Sequence, residues 1–157
     1  MANKSESTEG SVLVETSGLD TLLADEYVLY MRTRDAGRKI PDESPAEVQQ
    51  LFEKQCRSMS AIVADVGRAA RSLGATPSFI HEEFMEITRL NGHTKLFEKQ
   101  NEIIAALLDD HEFVMGLLGK GEAYLIDPRS VINPEEFTAD LLKRHEEMAG
   151  ALGGWLE

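Results

Sequence analysis

Residues 44–74, SPAEVQQLFEKQCRSMSAIVADVGRAARSLG, decide the fold class. The segment opens with Ser44 as a candidate N-cap, Pro45 at the first helical position and Glu47 placed to close a capping box. Apolar residues then recur at spacings of three and four until Gly74, a favoured C-terminal stop. The pattern predicts a helix of nearly thirty residues, about 43 Å long at about 1.5 Å per residue.

Three further segments carry the same helical period. The first is predicted to run from Leu19 to about Thr33 and to stop before the polar stretch 34–39. Another is predicted to start near Thr94. The last begins at 133–136, Asn-Pro-Glu-Glu, which repeats the order of cap, proline and glutamate.

The connection between the second and third long helices carries a short helix of its own. Thr76-Pro77 is predicted to open this short helix, and Asn91-Gly92 to close it. No segment alternates with period two, so no sheet is predicted. A long crossover of this kind is typical of ferritin-like bundles. The sequence therefore predicts an all-α, ferritin-like four-helix bundle over 18–157, preceded by a flexible tail over 1–17.

Composition excludes several classes of function. The chain has 157 residues, with 28 acidic against 16 basic side chains and a formal net charge of −12. Its basic residues are scattered, so we expect weak or no DNA binding and no attraction to anionic membranes. No apolar run approaches the ~20 residues that span a bilayer. The single cysteine, Cys56, favours a reducing compartment and is interpreted as a buried structural thiol, so we expect a cytoplasmic protein.

The four histidines give little sign of a metal site inside the bundle. None is preceded at three residues by glutamate, which argues against a di-iron centre built from Glu-x-x-His pairs. His111 and His145 are interpreted as histidines at the edge of the core, each paired with a neighbouring helix, rather than as metal ligands. His81 and His93 are expected to be solvated.

Several segments resemble the Dps family of ferritin-like mini-cages. LLADEYVLY at 22–30 is similar to the family's first helix, LFEKQ at 51–55 to the second and LLDDHE at 107–112 to the third. TADLL at 138–142 and WLE at 155–157 are similar to the start and the finish of the fourth. The order and spacing of these segments, together with the crossover helix, carry the resemblance.

The resemblance implies a hollow shell of twelve subunits that oxidises iron with peroxide, stores it as mineral and in some members coats DNA. The family's ferroxidase centre spans a dimer interface. In an ungapped register, the two histidine positions are Gly37 and Gln49 here, the next carboxylate survives as Glu53, and the following aspartate and glutamate are Ala64 and Arg68. Most of the ligand set is absent, so the ferroxidase activity of the family is expected to be lost, with Glu53 as a remnant metal ligand.

Two further expectations follow from this register. An ion pair between Glu53 and Arg68 would let the arginine replace the positive charge of the metal. Glu136 and Asp140, at the start of the last helix, would lie near a threefold channel and draw cations inward. Iron binding thus stays open, but not at the family's ferroxidase centre.

The leading hypothesis is a Dps-like cage protein, a homo-oligomer of twelve chains, for iron sequestration and stress protection. Three alternatives remain open. The chain could be a structural subunit that co-assembles with a catalytic relative. It could bind another metal or a small molecule at the old dimer site. It could also be a non-catalytic helical bundle outside the family.

Overall fold

A computed structural model of the chain describes residues 2–72, 74, 81–90, 97–120 and 133–157, with side chains from Leu19 onward. Every regular element in these ranges is a helix: α1 Ala2–Lys39, α2 Ala46–Ser72, α3 His81–Ile87, α4 Gln100–Gly119 and α5 Pro134–Gly154. The all-α bundle predicted from the sequence is therefore confirmed. The predicted tail over 1–17 lies outside the residues whose side chains are described, and it stays a prediction.

Helix α2 confirms the predicted long helix and its apolar spacing, and it begins at Ala46, one residue after Pro45. Its buried side chains follow the spacing of three and four, as in Val48, Phe52 and Met59. Gly74 takes a positive φ of 87° just beyond the helix, and its amide donates to the carbonyl of Arg71. Glycine adopts this left-handed conformation without a side-chain clash, which is why it ends helices.

Helix α1 is longer than predicted at both ends: its backbone is helical from Ala2, ahead of the predicted start at Leu19, and it extends past Thr33 at its C-terminal end. It continues through the polar stretch to Lys39, because Ala36 extends the buried stripe and Ile40 packs just beyond. Lys39 meanwhile bonds Asp35 one turn earlier, on the exposed side. The polar residues therefore occupy the solvent face of a continuing helix rather than a break.

The crossover helix α3 ends earlier than predicted, at Ile87, for a reason visible in the residues that follow. After Ile87 the chain turns toward α1, where Asp25 accepts hydrogen bonds from the Thr88 hydroxyl and the Arg89 backbone amide, both at 2.7 Å. The predicted boundary pairs Thr76-Pro77 and Asn91-Gly92 lie outside the described residues.

Helix α4 begins at Gln100 rather than near Thr94, since Phe97 packs on the core before the helix starts. Helix α5 begins as predicted, with the Asn133 side-chain oxygen accepting from the Glu136 amide at 3.1 Å. This bond satisfies one of the free donors at the helix start.

The helices pair along their lengths. α1 packs mainly on α2, and α4 on α5, while α1 also contacts α3 and α4. One apolar core fills the space between them, and its largest fully buried side chains are Phe52, Leu19, Leu22, Leu23, Leu29, Met59, Ile62, Ile104, Leu118, Leu141 and Leu152. None of the described helices is long and apolar enough to cross a membrane.

Candidate functional site

Three of the five positions that the register marked line one surface cavity. Gly37 comes from α1, and Gln49 and Glu53 come from one face of α2. The cavity has a volume of about 360 Å³ and is open to solvent. Its other lining residues are Arg34, Phe52, Cys56 and Arg57. The packing of α1 on α2 thus assembles this cavity from residues far apart in sequence.

The cavity offers few ligands to a metal ion. Among the described residues, no imidazole lines it, and Glu53 is the one carboxylate. A Cβ added at Gly37 would meet the Cβ of Phe52 at 3.4 Å, so the phenyl side chain lies against the position where the family has a histidine. Two guanidinium groups, those of Arg34 and Arg57, face the same space. This environment repels a divalent cation rather than binding one.

The other two register positions, Ala64 and Arg68, lie farther along α2. Glu53 and Arg68 are separated by about 22 Å, fifteen residues at about 1.5 Å each. Glu53 and Arg68 therefore do not pair within one chain, and a pair across a dimer interface stays a prediction. Arg68 instead bonds Asp65, one turn earlier on the same helix.

The two predicted pore residues differ in their surroundings. Asp140 forms an ion pair with Arg144, one turn later on α5, at 2.7 Å. Arg144 also bonds Asp65 of α2 at 2.6 Å, which ties the two helices together. Glu136 is exposed at the N-terminus of α5. A pore role for either residue stays a prediction, and Asp140 is partly neutralised by its arginine.

Inside the bundle, a chain of hydrogen bonds joins three helices. His145 of α5 places Nε2 at 2.8 Å from a carboxylate oxygen of Glu26 on α1. Its Nδ1 lies 2.9 Å from Nδ1 of His111 on α4. All three residues are fully buried. The predicted pairing of these histidines with a neighbouring helix is thus correct, but they lie in the centre of the core rather than at its edge.

The hydrogen-bond pattern limits where protons lie along this chain. The Glu26 carboxylate oxygen accepts, so Nε2 of His145 donates. Of the two facing Nδ1 atoms, one donates and the other accepts, because two cationic rings cannot face each other at this distance. Burial, together with the neighbouring His145, lowers the pKa of His111 to about 3, so His111 is neutral at pH 7. Its Nε2 has no partner among the described residues.

A second buried carboxylate holds the crossover. Asp25 is fully buried beside Glu26, and it accepts a hydrogen bond from Nε of Arg89 at 2.8 Å in addition to the bonds from Thr88 and the backbone. Sequence reasoning missed both acids. The signal was available for Glu26, which stands four residues after Leu22 and three after Leu23, on the apolar stripe of α1.

The histidines and acids do not form a metal centre as they stand. Within the described residues, no group of three or more histidine, cysteine, aspartate or glutamate side chains is arranged to hold a metal ion. In the Glu26–His145–His111 chain each polar group bonds the next, so its chemistry is that of a structural hydrogen-bond relay. His81 is exposed as expected and lies 3.4 Å from the Tyr27 hydroxyl. His93 lies outside the described residues.

Cys56 differs from its predicted environment. It is half-buried and lines the cavity between α1 and α2 rather than the core. Burial raises the pKa of its thiol, while the positive charges of Arg34, Arg38 and Arg57 act in the opposite direction. The thiol is therefore a poor nucleophile at neutral pH.

Comparisons of sequence find distant relatives. No protein-family model matches the chain. An uncharacterized low temperature-induced protein of Nostoc sp. (strain PCC 7120) is 24% identical over 135 residues, which cover 86% of this chain and 75% of the relative. Its homolog in Anabaena variabilis matches to the same extent.

Comparisons of structure show the fold. The Dps protein of Vibrio cholerae O1, described as a member of a broad superfamily of ferritin-like diiron-carboxylate proteins, has a TM-score of 0.79 and 18% identity, over 93% of this chain and 91% of its own. Dps from Thermosynechococcus elongatus has a TM-score of 0.81 and 12% identity, over 94% and 95%. A dodecameric thioferritin from Bacteroides fragilis has a TM-score of 0.79 and 13% identity, over 92% and 85%. The chain therefore has the ferritin-like fold of the Dps proteins, as the resemblance implied.

Proposed function

We propose that this chain is a divergent Dps-like subunit that assembles into a cytoplasmic cage and sequesters iron under stress, without fast ferroxidase activity. The observation that carries the proposal is the cavity of Gly37, Gln49 and Glu53. These are positions that the register assigns to the family's ferroxidase ligands, and here Gly37 and Gln49 stand in place of histidines, with Arg34 and Arg57 beside them. The same fold with a different site is the pattern expected when a scaffold keeps its assembly and loses its chemistry.

Two observations support assembly. The dodecameric thioferritin of Bacteroides fragilis shares the fold over 92% of this chain. In addition, α3 exposes Met85 and Ile87, and α4 exposes Phe113, each with more than two fifths of its surface in contact with solvent. Exposed apolar side chains on the short crossover helix suit burial against another subunit.

The stress role is supported by the relatives. The proteins of Nostoc and Anabaena are described as low temperature-induced, and they match most of this chain. A cage with an acidic surface can concentrate cations near its channels, and a net charge of −12 per subunit supplies the field. The same charge opposes DNA binding, so the protection proposed acts through metal and not through coating of DNA.

A second candidate function is a structural subunit that co-assembles with a catalytic relative. Among the described residues that line the cavity none is an imidazole, and this favours the second candidate equally, because such a subunit needs interfaces but no ferroxidase ligands. The two candidates differ in iron capacity, since only the first stores iron as a homo-oligomer.

Two measurements test the proposal on the purified full chain. Native mass spectrometry should give the mass of twelve subunits, whereas a monomer or dimer at micromolar concentration would contradict the cage. Addition of ferrous iron and peroxide, followed by ferric absorbance, should then show slow uptake without a fast phase that saturates at one or two irons per subunit. A Dps protein with an intact ferroxidase centre is the control. Assembly without iron retention would favour the structural subunit instead.

A further inference from the structure

Three arginines converge on one surface in a chain that is otherwise strongly acidic. Arg34 and Arg38 come from α1 and Arg57 from α2, and all three are exposed around Cys56. The sequence, with its scattered basic residues, predicted no such patch. It arises because α1 and α2 pack side by side and bring separate single arginines together.

These arginines differ from the paired cations of the bundle. Arg32 pairs with Asp110, Arg89 with Asp25 and Arg144 with Asp65. In contrast, no carboxylate in the described part of the chain lies within ion-pair distance of Arg34, Arg38 or Arg57. The chain has twelve more acidic than basic residues, yet these three arginines have no carboxylate partner in the ranges that the structure describes. Their positive charge is therefore available to bind an anion.

The shape of the surface suits a small ligand. Arg34 and Arg57 line the cavity of about 360 Å³ from opposite helices, and Gln49 adds a neutral amide donor. A guanidinium group presents its N–H donors in a rigid fork that matches the oxygens of phosphate. Glu53 is the one acid on the cavity wall, and it lies on the same face of α2 as Gln49 and Arg57, one turn from each.

We propose that the cavity between α1 and α2 binds a small oxyanion with the chemistry of phosphate, held by Arg34 and Arg57 with Gln49 as a further donor. The position that the family resemblance assigns to a cation thus takes an anion in this chain. The inference is argued from the arginines and the cavity of a single chain, and it does not depend on iron storage.

Cys56 provides a built-in reporter for this site. It lines the same cavity, and as the only cysteine its alkylation gives an unambiguous mass increase. The experiment measures the rate of alkylation by iodoacetamide in inorganic phosphate and in chloride, at equal pH and ionic strength. We expect phosphate to slow the reaction several-fold and saturably, because a bound anion covers the thiol and cancels the arginine charge that favours the thiolate. A rate that does not depend on phosphate would overturn the proposal.

Matched variants separate a site from general charge screening. The double variant Arg34→Gln/Arg57→Gln should be alkylated at the same rate in phosphate and in chloride. Arg71 is an exposed arginine at the end of α2, outside the cavity, so the variant Arg71→Gln should still be alkylated more slowly in phosphate. Equal loss of protection in both variants would contradict a specific site. Because the substituted side chains are exposed, far-UV circular dichroism should show folded protein in each case.

A direct titration makes the test independent of the thiol. Inorganic phosphate added to the wild-type protein in a calorimeter should give saturable heat that the double arginine variant lacks. Adenosine monophosphate in a parallel arm distinguishes the source of the oxyanion. Competition with phosphate supports a phosphate group carried on a larger molecule, and its absence supports the free ion. No heat with either probe would overturn the site, whatever the oligomeric state and the iron capacity prove to be.

Discussion

Nδ1 of His111 lies 2.9 Å from Nδ1 of His145 in a core where neither ring is exposed to solvent. His145 continues the chain to the buried carboxylate of Glu26, so one hydrogen-bonded series connects α4, α5 and α1. A buried polar group contributes to stability only while its partners are present, because an unpaired one keeps the full cost of desolvation. The bundle therefore depends on all three residues together.

Replacing Glu26 by alanine should destabilise the fold strongly. The substitution leaves the buried Nε2 of His145 without its acceptor and opens a cavity beside it. A buried donor left without its acceptor costs about 1–3 kcal/mol, and the cavity left by the removed side chain adds to that loss. Urea unfolding followed by circular dichroism should show a loss in this range.

Glu26→Gln is the matched control for that change. Glutamine keeps the volume and an oxygen that accepts from His145, so the loss should be about 1 kcal/mol, the scale of one hydrogen bond. Equal losses for the two variants would mean that the carboxylate charge, which both variants lack, determines the stability, and not the volume or the acceptor oxygen that glutamine keeps.

Stability should fall as the pH falls below the ordinary pKa of histidine. Burial and the adjacent His145 lower the pKa of His111 from 6.5 to about 3, so the unfolded chain binds a proton in this window while the folded chain does not. The contribution of His111 is fully present above about pH 6.5 and declines by up to about 1.4 kcal/mol per pH unit below it.

His111→Asn isolates that titration from the carboxylates of the bundle. The asparagine amide can still donate toward His145 but does not gain a proton. The difference in the free energy of unfolding between wild type and variant should therefore shrink from about pH 6.5 to about pH 4. A difference that stays constant over this range would refute the depressed pKa of His111.

Helix starts and stops were predictable because they are local. Pro45, Gly74 and Asn133-Pro134 act on the stretch of chain next to them: α2 begins just after Pro45 and ends just before Gly74, and α5 begins at Pro134. The C-terminal end of α1 was not predictable from the sequence, because Ala36 becomes part of a buried stripe only when α2 packs against it. The predicted start of α4 was wrong for the same reason. Phe97 fits the helical spacing of apolar residues and packs on the core, but it lies before the helix begins.

The candidate site, too, could be predicted from the sequence only in part. The register correctly grouped Gly37, Gln49 and Glu53 on one surface, since relative positions along two packed helices follow from spacing. It could not place Arg68 against Asp65, nor show that Arg34 and Arg57 meet around Cys56. Charges scattered in sequence become a patch only through the contact of α1 with α2.

Asp25 should be essential to the position of the crossover. Its carboxylate accepts from the side chains of Thr88 and Arg89 and from the Arg89 amide, all from the segment after α3. Asp25→Ala removes every one of these bonds at a fully buried position, so we expect a loss of about 3 kcal/mol. Amide hydrogen exchange should also accelerate from His81 to Leu90 before it does so in α2.

Asp35→Ala serves as the comparison for Asp25. Asp35 pairs with Lys39 on the exposed face of α1, where about half of each side chain is in water. A surface pair of this kind contributes about 0.5 kcal/mol or less. A similar loss in both variants would argue that Asp25 supports α1 itself rather than the crossover.

Restoring histidines at Gly37 and Gln49 should create a metal site that the wild-type chain lacks. Both positions line the cavity with Glu53, and Gln49 and Glu53 are four residues apart on one face of α2. Two imidazoles and a carboxylate are a competent ligand set for Co²⁺ or Zn²⁺. The double variant Gly37→His/Gln49→His should therefore develop visible Co²⁺ absorption at one ion per chain, and Zn²⁺ should displace the Co²⁺.

Gln49→His alone should bind Co²⁺ far more weakly, since it supplies only two ligands. Adding Arg57→Gln to the double variant should tighten binding, because it removes a positive charge from the cavity wall. If the double variant shows no Co²⁺ spectrum while it remains folded, these positions do not converge as the packing of α1 on α2 requires, and the register with the family would be wrong.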